Sequence, residues 1–366
     1  MKSRVLGLSL AAFLSMTAAA AAADVNQTAV NTGNVVNASG ISTITGSIVG
    51  TGNSASLTST GALSQLSVMN PGILSFNISG TQFSMNSGSV SNGGTVVVGG
   101  TIAGLGNSVS IAATGAAAAA SITAMADPAV VSTIGGSGSM QYAFNSGAFV
   151  LNQGSIVAAG GLSGINNGLS ISATGALAQA SISAPGGHIE MANISAMPQF
   201  AANSAVISNQ GTITTGALTG FGNSASIAAT GAAAAASIST SVGSLGTSGV
   251  SIGGLPNFAT NVAVAQNVLN SGAVNNVGTI AVSGLNGTGN SASISATGAL
   301  AQASISSVGG AFGTGTSITG TQTATNTAAI SNGGTIVNAG GLIGSGNSLS
   351  VSAVGAAVVA SYSSIR

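Results

Sequence analysis

The chain has 366 residues, of which 57 are Gly; it has three Lys and Arg, three Asp and Glu, one His, no Cys and no Trp, and charged residues are 2% of the whole. So little charge excludes nucleic-acid binding, which needs Lys and Arg to neutralise phosphates. The missing Cys excludes disulfides and thiolate metal sites, and the scarcity of titratable groups leaves acid–base catalysis almost no means.

The first residues read as an address. Met1-Lys2-Ser3-Arg4 is basic, Val5 to Met16 is apolar, Thr17 to Ala23 is rich in small residues, and Asp24 follows. This is the order of a secretory signal peptide over residues 1–23, exported by a Sec-type route and removed after Ala22 or Ala23. Its apolar run is shorter than the ~20 residues a membrane-spanning helix needs. Every later apolar stretch is broken by Ser, Thr, Asn or Gly, so no transmembrane helix is expected in the mature chain. Removal of the leader leaves Asp24, Asp127, Glu190 and Arg366 as the only charged side chains.

Residues 24–366 read as one repeat domain of six imperfect units. A block beginning Gly-Asn-Ser recurs at Asn53, Asn107, Asn223, Asn290 and Asn347, and in the degenerate form Asn166-Asn167-Gly168 at Asn167. Eight residues after each Asn stands a Gly: Gly61, Gly115, Gly175, Gly231, Gly298 and Gly355. The units average ~57 residues and cover approximately 24–69, 86–125, 145–184, 203–240, 270–307 and 326–366. Repetition at such a period indicates solenoids, propellers or arrays.

A second element, Asn-x-Gly-(Thr/Ser)-(Ile/Val), precedes each block at Asn92, Asn152, Asn209, Asn276 and Asn332, with a looser version starting at Asn31. A further Asn lies six or seven residues earlier, at Asn86, Asn145, Asn203, Asn270 and Asn326. Within the blocks apolar and small polar residues alternate, as in Ser291-Ala292-Ser293-Ile294, which predicts strands. Ala116–Ala120 and Ala232–Ala236 have helical propensity, but the same slots hold other residues elsewhere, so strand is expected there too. The Thr-Gly at the centre of each near-palindromic block predicts a tight turn between two strands, with a glycine bend in one strand as the other reading.

All five Pro and six of the nine Phe, among them Phe76, Phe83, Phe144 and Phe200, fall between the blocks. These segments are expected to be linker loops, with Phe76, Phe144 and Phe200 as candidate contacts for a partner.

Chemistry-bearing constellations are weak. His188 and Glu190 lie two apart beside Pro185-Gly186-Gly187, and no second His exists; a zinc site wants three or four ligands, so a solvated loop His is the better reading. A Ser–His–Asp arrangement with Asp127 lacks the Gly-x-Ser-x-Gly elbow. The Gly-x-Gly-Asn-Ser turns lack the Lys of a phosphate loop. Asn77-Ile78-Ser79 and Asn193-Ile194-Ser195 match glycosylation acceptors, but the bacterial look of the leader favours plain Asn. No enzyme activity, cofactor or metal is expected.

Stacked layers put equivalent residues above one another, where Asn side chains form amide ladders and like charges would repel. The expected fold is all-β, a repetitive β-solenoid or stacked cross-β-like array. In composition and repeat type, residues 24–366 resemble bacterial exported β-repeat surface proteins, namely functional-amyloid fibre subunits such as curlins and the β-solenoid passengers of adhesins. The resemblance carries over no functional residue. It implies a secreted or cell-surface structural protein. Open edges and a last strand guarded only by Arg366 predict self-association into a fibre or biofilm matrix; a nucleator or an outer-membrane secretion protein is the further partner implied. The alternative is a monomeric adhesin that binds through its Phe-bearing linkers. A twelve-strand outer-membrane barrel is a distant third reading, disfavoured by the lack of aromatic girdles. An ice-binding face of spaced Thr is more distant still.

Overall fold

The computed structural model describes residues 21–38, 41–70, 75–124, 131–135, 138–184, 191–195, 197–240, 261–308 and 317–365. The expected leader residues 1–20 lie outside them, as do Asp127, His188, Glu190 and Arg366. The expected cleavage point falls within the strand Ala21–Asp24.

The described residues form a β-solenoid of six rungs. One rung contains five short strands and a long return strand. In the second rung these are Ser75–Ser79, Thr81–Asn86, Val90–Asn92, Thr95–Val98, Ile102–Leu105 and Ser108–Ala124. Each strand pairs, in parallel, only with its counterparts above and below, giving six sheets of six strands. One sequence unit is therefore one rung, and at ~4.8 Å per step the first and last rungs lie about 24 Å apart.

The rungs begin earlier than the sequence blocks. Thr81–Asn86, Met140–Asn145 and Gln199–Asn203 form the second short strand, although most of each lies in a segment expected to be linker. Pro198 lies just before one of them and supplies only its carbonyl, to Gln141 N–H at 2.9 Å, the one backbone hydrogen-bonding group that proline keeps.

The expected turn at Thr-Gly is not made. Ser108–Ala124 is one continuous strand through Gly115, paired from Ser108↔Gly168 to Thr123↔Ser183. The near-palindrome has a different cause. Val109, Ile111 and Ala113 face the core before Gly115, and Ala116, Ala118, Ala120 and Ile122 face it after, so the inward positions shift from odd to even at the glycine. A strand that changes phase at its centre reads the same from both ends, as a hairpin would. Without hairpins and with every pairing parallel, the twelve-strand barrel has no basis in this fold.

The long strand runs back across the short ones, and the core follows that crossing. Val109 and Ile111 meet Val96, Val98 and Ile102; Ala113 meets Val90; Ala116 and Ala118 meet Ala143; Ala120 and Ile122 meet Ile78 and Ile134. The central layer is almost wholly Ala, so the two walls can approach closely there. This is why the poly-Ala runs are strand: helical propensity of a few tenths of a kcal/mol per residue is outweighed by ladder bonds and burial on both sides. Outward, the long strand carries Ser108, Ser110, Ala112, Thr114, Ala119 and Ser121, small uncharged side chains on a flat wall.

The corner into the long strand uses a left-handed residue. Gly52, Gly106, Gly222, Gly289 and Gly346 have φ of 66–68°, and Asn166 takes their place in the third rung with φ 54°. Asn is the non-glycine residue best suited to that region, which explains the degenerate Asn166-Asn167-Gly168 block.

Candidate functional site

Four columns of amide side chains run along the stack, and they constitute its most distinctive chemistry. The first is the column of Gly-Asn-Ser residues at the corner. Asn53 Nδ2 donates to Asn107 Oδ1 at 3.0 Å, Asn107 to Asn167 at 3.1 Å, Asn167 to Asn223 at 3.1 Å and Asn223 to Asn290 at 3.2 Å. The backbone N–H of each also donates to the next Oδ1, ending with Asn290 N–H to Asn347 Oδ1 at 2.9 Å. Each Nδ2 further ties down the corner by reaching a carbonyl four residues back, as Asn107 does to Ala103 at 2.8 Å.

The second column closes the second short strand. Asn31 Nδ2 donates to Asn86 Oδ1 at 2.6 Å, and the chain continues to Asn145, Asn203, Asn270 and Asn326 at 2.8, 2.7, 2.8 and 2.6 Å. The block glycines exist to admit this column. A Cβ on Gly61 would collide with Asn86 Oδ1 and come within 2.5 Å of the Gly115 carbonyl oxygen; Gly115, Gly175, Gly231 and Gly298 meet the same pair of obstacles one rung further on.

The third column spans the core, reaching the long strands of its own rung and of the rung below. Asn92 Nδ2 donates to the carbonyls of Leu57 and Ala112 at 3.2 and 3.0 Å, while its Oδ1 accepts Gly94 N–H at 3.2 Å. Asn152, Asn209, Asn276 and Asn332 repeat this. In the first rung the equivalent residue is Asn37, paired with Asn92, not Asn31 as the looser motif suggests. The chain carries one extra residue between Asn37 and Ile41, which hid the match.

The fourth column was not anticipated. Gln27, Gln82, Gln141, Gln199, Gln266 and Gln322 occupy one register. Gln199 Nε2 donates to Gln141 Oε1 at 2.8 Å, Gln266 to Gln199 at 2.8 Å and Gln322 to Gln266 at 2.6 Å. The signal was present: every one of these Gln stands four residues before an Asn of the second column. Gln82 Oε1 has no hydrogen-bond partner, so the column is interrupted between the second and third rungs.

Interior members are sealed. Asn86, Asn107, Asn167, Asn223, Asn270 and Asn290 are 0% exposed. A buried amide without its partners costs about 1–3 kcal/mol, so a slip of register that broke the columns would be penalised at every rung.

Among the described residues, no element covers the first or the last rung. The last rung leaves Leu342, Leu349 and Val351 49%, 39% and 49% exposed, although their counterparts Leu285, Ala292 and Ile294 are 0% exposed one rung below. The first rung opens a cleft of about 930 Å³ between Gln27–Asn31 and Thr58–Gln65.

A separate patch lies on the outer face of the second short strands. Phe144 and Phe200 stand 5.4 Å apart, centroid to centroid, and Tyr142 and Phe83 complete the group at 5.8–6.3 Å. Phe144 and Phe200, expected in loops, thus sit on strands in one cluster. Phe76 also lies on a strand, Ser75–Ser79. Among the described residues no helix is long and apolar enough to cross a membrane.

Comparison with protein-family models, with curated proteins and with solved structures finds no match to this chain.

Proposed function

We propose that the protein is a non-enzymatic extracellular structural subunit that self-assembles into a surface fibre or attachment matrix. The observation that carries this is the pair of uncapped rungs. From the second short strand to the long strand, each presents an open strand edge and partly exposed core side chains, and among the described side chains there neither carries the inward charges with which sheet proteins ordinarily block edge-to-edge association. The basic-then-apolar leader supports export, and the near absence of charge supports dense packing of copies without repulsion.

Electron microscopy of the chain freed of its leader, released from denaturant into plain buffer, tests this together with a detergent-boiled gel lane. Uniform filaments that survive boiling are expected. A protein that stays monomeric for days at high concentration refutes it.

The aromatic patch favours a second reading, a surface adhesin whose strand face binds a partner. Exposed apolar clusters of this kind mark interaction sites. Replacing Phe144 and Phe200 by Ser then abolishes adhesion to the target surface, whereas a pure fibre subunit keeps both its filaments and its attachment.

A further inference from the structure

The geometry points to a polar, head-to-tail seam: the sixth rung of one copy seats on the first rung of the next, continuing in register the five sheets that run from the second short strand, Gln322–Asn326 onto Gln27–Asn31, to the long strand. This rests on the self-assembling reading above and adds its direction and its contacts.

The amide columns have a direction. In the second column every Nδ2 donates toward the sixth rung, so Asn326 Nδ2 is left with only the Ala328 carbonyl, at 2.8 Å. At the other end Asn31 Oδ1 holds no amide above or below it, only Gly33 N–H at 3.2 Å. The glutamine column points the opposite way, from Gln322 to Gln266 to Gln199, leaving Gln322 Oε1 and Gln27 Nε2 open. A sixth rung below a first rung satisfies both columns together: Asn326 donates to Asn31, and Gln27 donates to Gln322. Sixth rung against sixth rung sets donor against donor in the asparagine column.

The backbone carries the same polarity. Ile48, Ile102, Leu162, Leu218 and Leu285 each donate their N–H one rung up, at 2.9–3.1 Å. Leu342 is next in that column, and in the seam its N–H reaches the carbonyl of Ser47. Conversely Ser108, Gly168, Ser224, Ser291 and Ser348 donate one rung down, at 2.8–3.0 Å, and Ser54 is their counterpart with no rung beneath it. Its acceptor in the seam is the Asn347 carbonyl.

Gly355 supplies an independent sign. Its five counterparts are glycine because the next rung's Asn and glycine carbonyl leave no room for a Cβ; at Gly355 the nearest atom is Asn326 Nδ2, at an ordinary 3.7 Å. Among the described residues of one copy, none occupies the space above Gly355. In the seam Asn31 of the next copy does, over Gly355 as Asn86 lies over Gly61.

The test uses the chain freed of its leader, in three variant forms beside the wild type. Gly355→Ala, or Leu342→Pro as a second tail variant, blocks the sixth-rung face; Ser54→Pro blocks the first-rung face. None of these removes a bond made within one copy, and circular dichroism checks that each remains β. Each alone is expected to stay monomeric or to elongate at least tenfold more slowly than wild type. The Ser54→Pro protein mixed with the Leu342→Pro protein is expected to give discrete dimers, one seam each. Dimers of either variant alone overturn the head-to-tail polarity, and wild-type filament growth by all of them shows assembly through another face. In both cases the fibre reading stands while this seam falls; a monomeric wild type removes both. Hydrogen exchange needs no substitution: the Leu342, Asn347 and Ser54 amides exchange freely in monomer and become protected in filaments, and continued free exchange in filaments overturns the seam.

Discussion

The same substitution at two glycines of one column should have opposite effects. At Gly231 a Cβ collides with Asn270 Oδ1 and comes within 2.5 Å of the Gly298 carbonyl oxygen. The strand cannot move away, because it is laddered to both neighbours from Ser224 to Thr240. Overpacking of this kind costs about 1–3 kcal/mol. Displacing Asn270 further strains its bonds to Asn203, Asn326 and Gly272 at 2.6–2.8 Å, and one buried bond lost costs about 1–3 kcal/mol. The sum is about 4 kcal/mol, reduced by about 0.4–1 kcal/mol because Ala restricts the unfolded chain. Gly231→Ala should therefore lose about 3 kcal/mol. At Gly355 only the last contribution applies, so Gly355→Ala should leave the monomer as stable or up to about 1 kcal/mol more stable. Solenoids open locally, which makes hydrogen exchange of freshly released monomer the suitable assay. The amides of 224–240 should exchange about a hundredfold faster in Gly231→Ala, since 1.4 kcal/mol is tenfold. Those of 348–361 should be unchanged or slower in Gly355→Ala. Equal protection losses at both sites would refute the steric account of the glycine column.

Two further outcomes follow from the rungs. Ser42 stands in register with Val96, Ile156, Ile213, Ile280 and Ile336, so Ser42→Val should stabilise the first rung by about 1 kcal/mol through added apolar burial, read as slower exchange of the 41–44 amides. Because the rungs contain no charge pairs, melting and filament growth should change little between about 0.05 and 0.5 M salt; a steep salt dependence would show that the few charged residues govern assembly.

Much of the fold was legible because repetition makes weak signals add. Five copies of Gly-Asn-Ser and one degenerate one, the constant offset to the following Gly and the two-residue alternation pointed together to stacked strands and an asparagine ladder. The glutamine column was equally regular, but Gln65, Gln153, Gln179, Gln210 and Gln302 lie off it, and attention to the blocks left the segment before Asn86 unread. The role of Gly115 and its counterparts was obscured by symmetry. A strand that inverts its faces at a glycine and a hairpin that turns there leave the same palindrome, and only the partner across the core separates them. Phe83, Phe144 and Phe200 were read by neighbourhood, in the proline-bearing linkers, instead of by parity; their alternation with Gln82, Asn145 and Gln199 already places them on the outer side of a strand. Sequence alone gave no direction to the columns, since amide polarity is set by which rung lies above.

The lack of basic residues in the rungs has a consequence for how the protein is handled. Between Arg4 and Arg366 there is no Lys or Arg. A protease that cuts after basic residues thus has no site in any rung and releases the whole array as a single fragment, too large for routine peptide mapping. Amine-directed cross-linkers, fixatives and dyes find no side chain to modify beyond Lys2 and must rely on the chain's amino terminus. A matrix built from such subunits would pass through the common procedures for detecting and fixing proteins almost unmarked, and enzymes that cleave between small apolar residues are the appropriate tools for it.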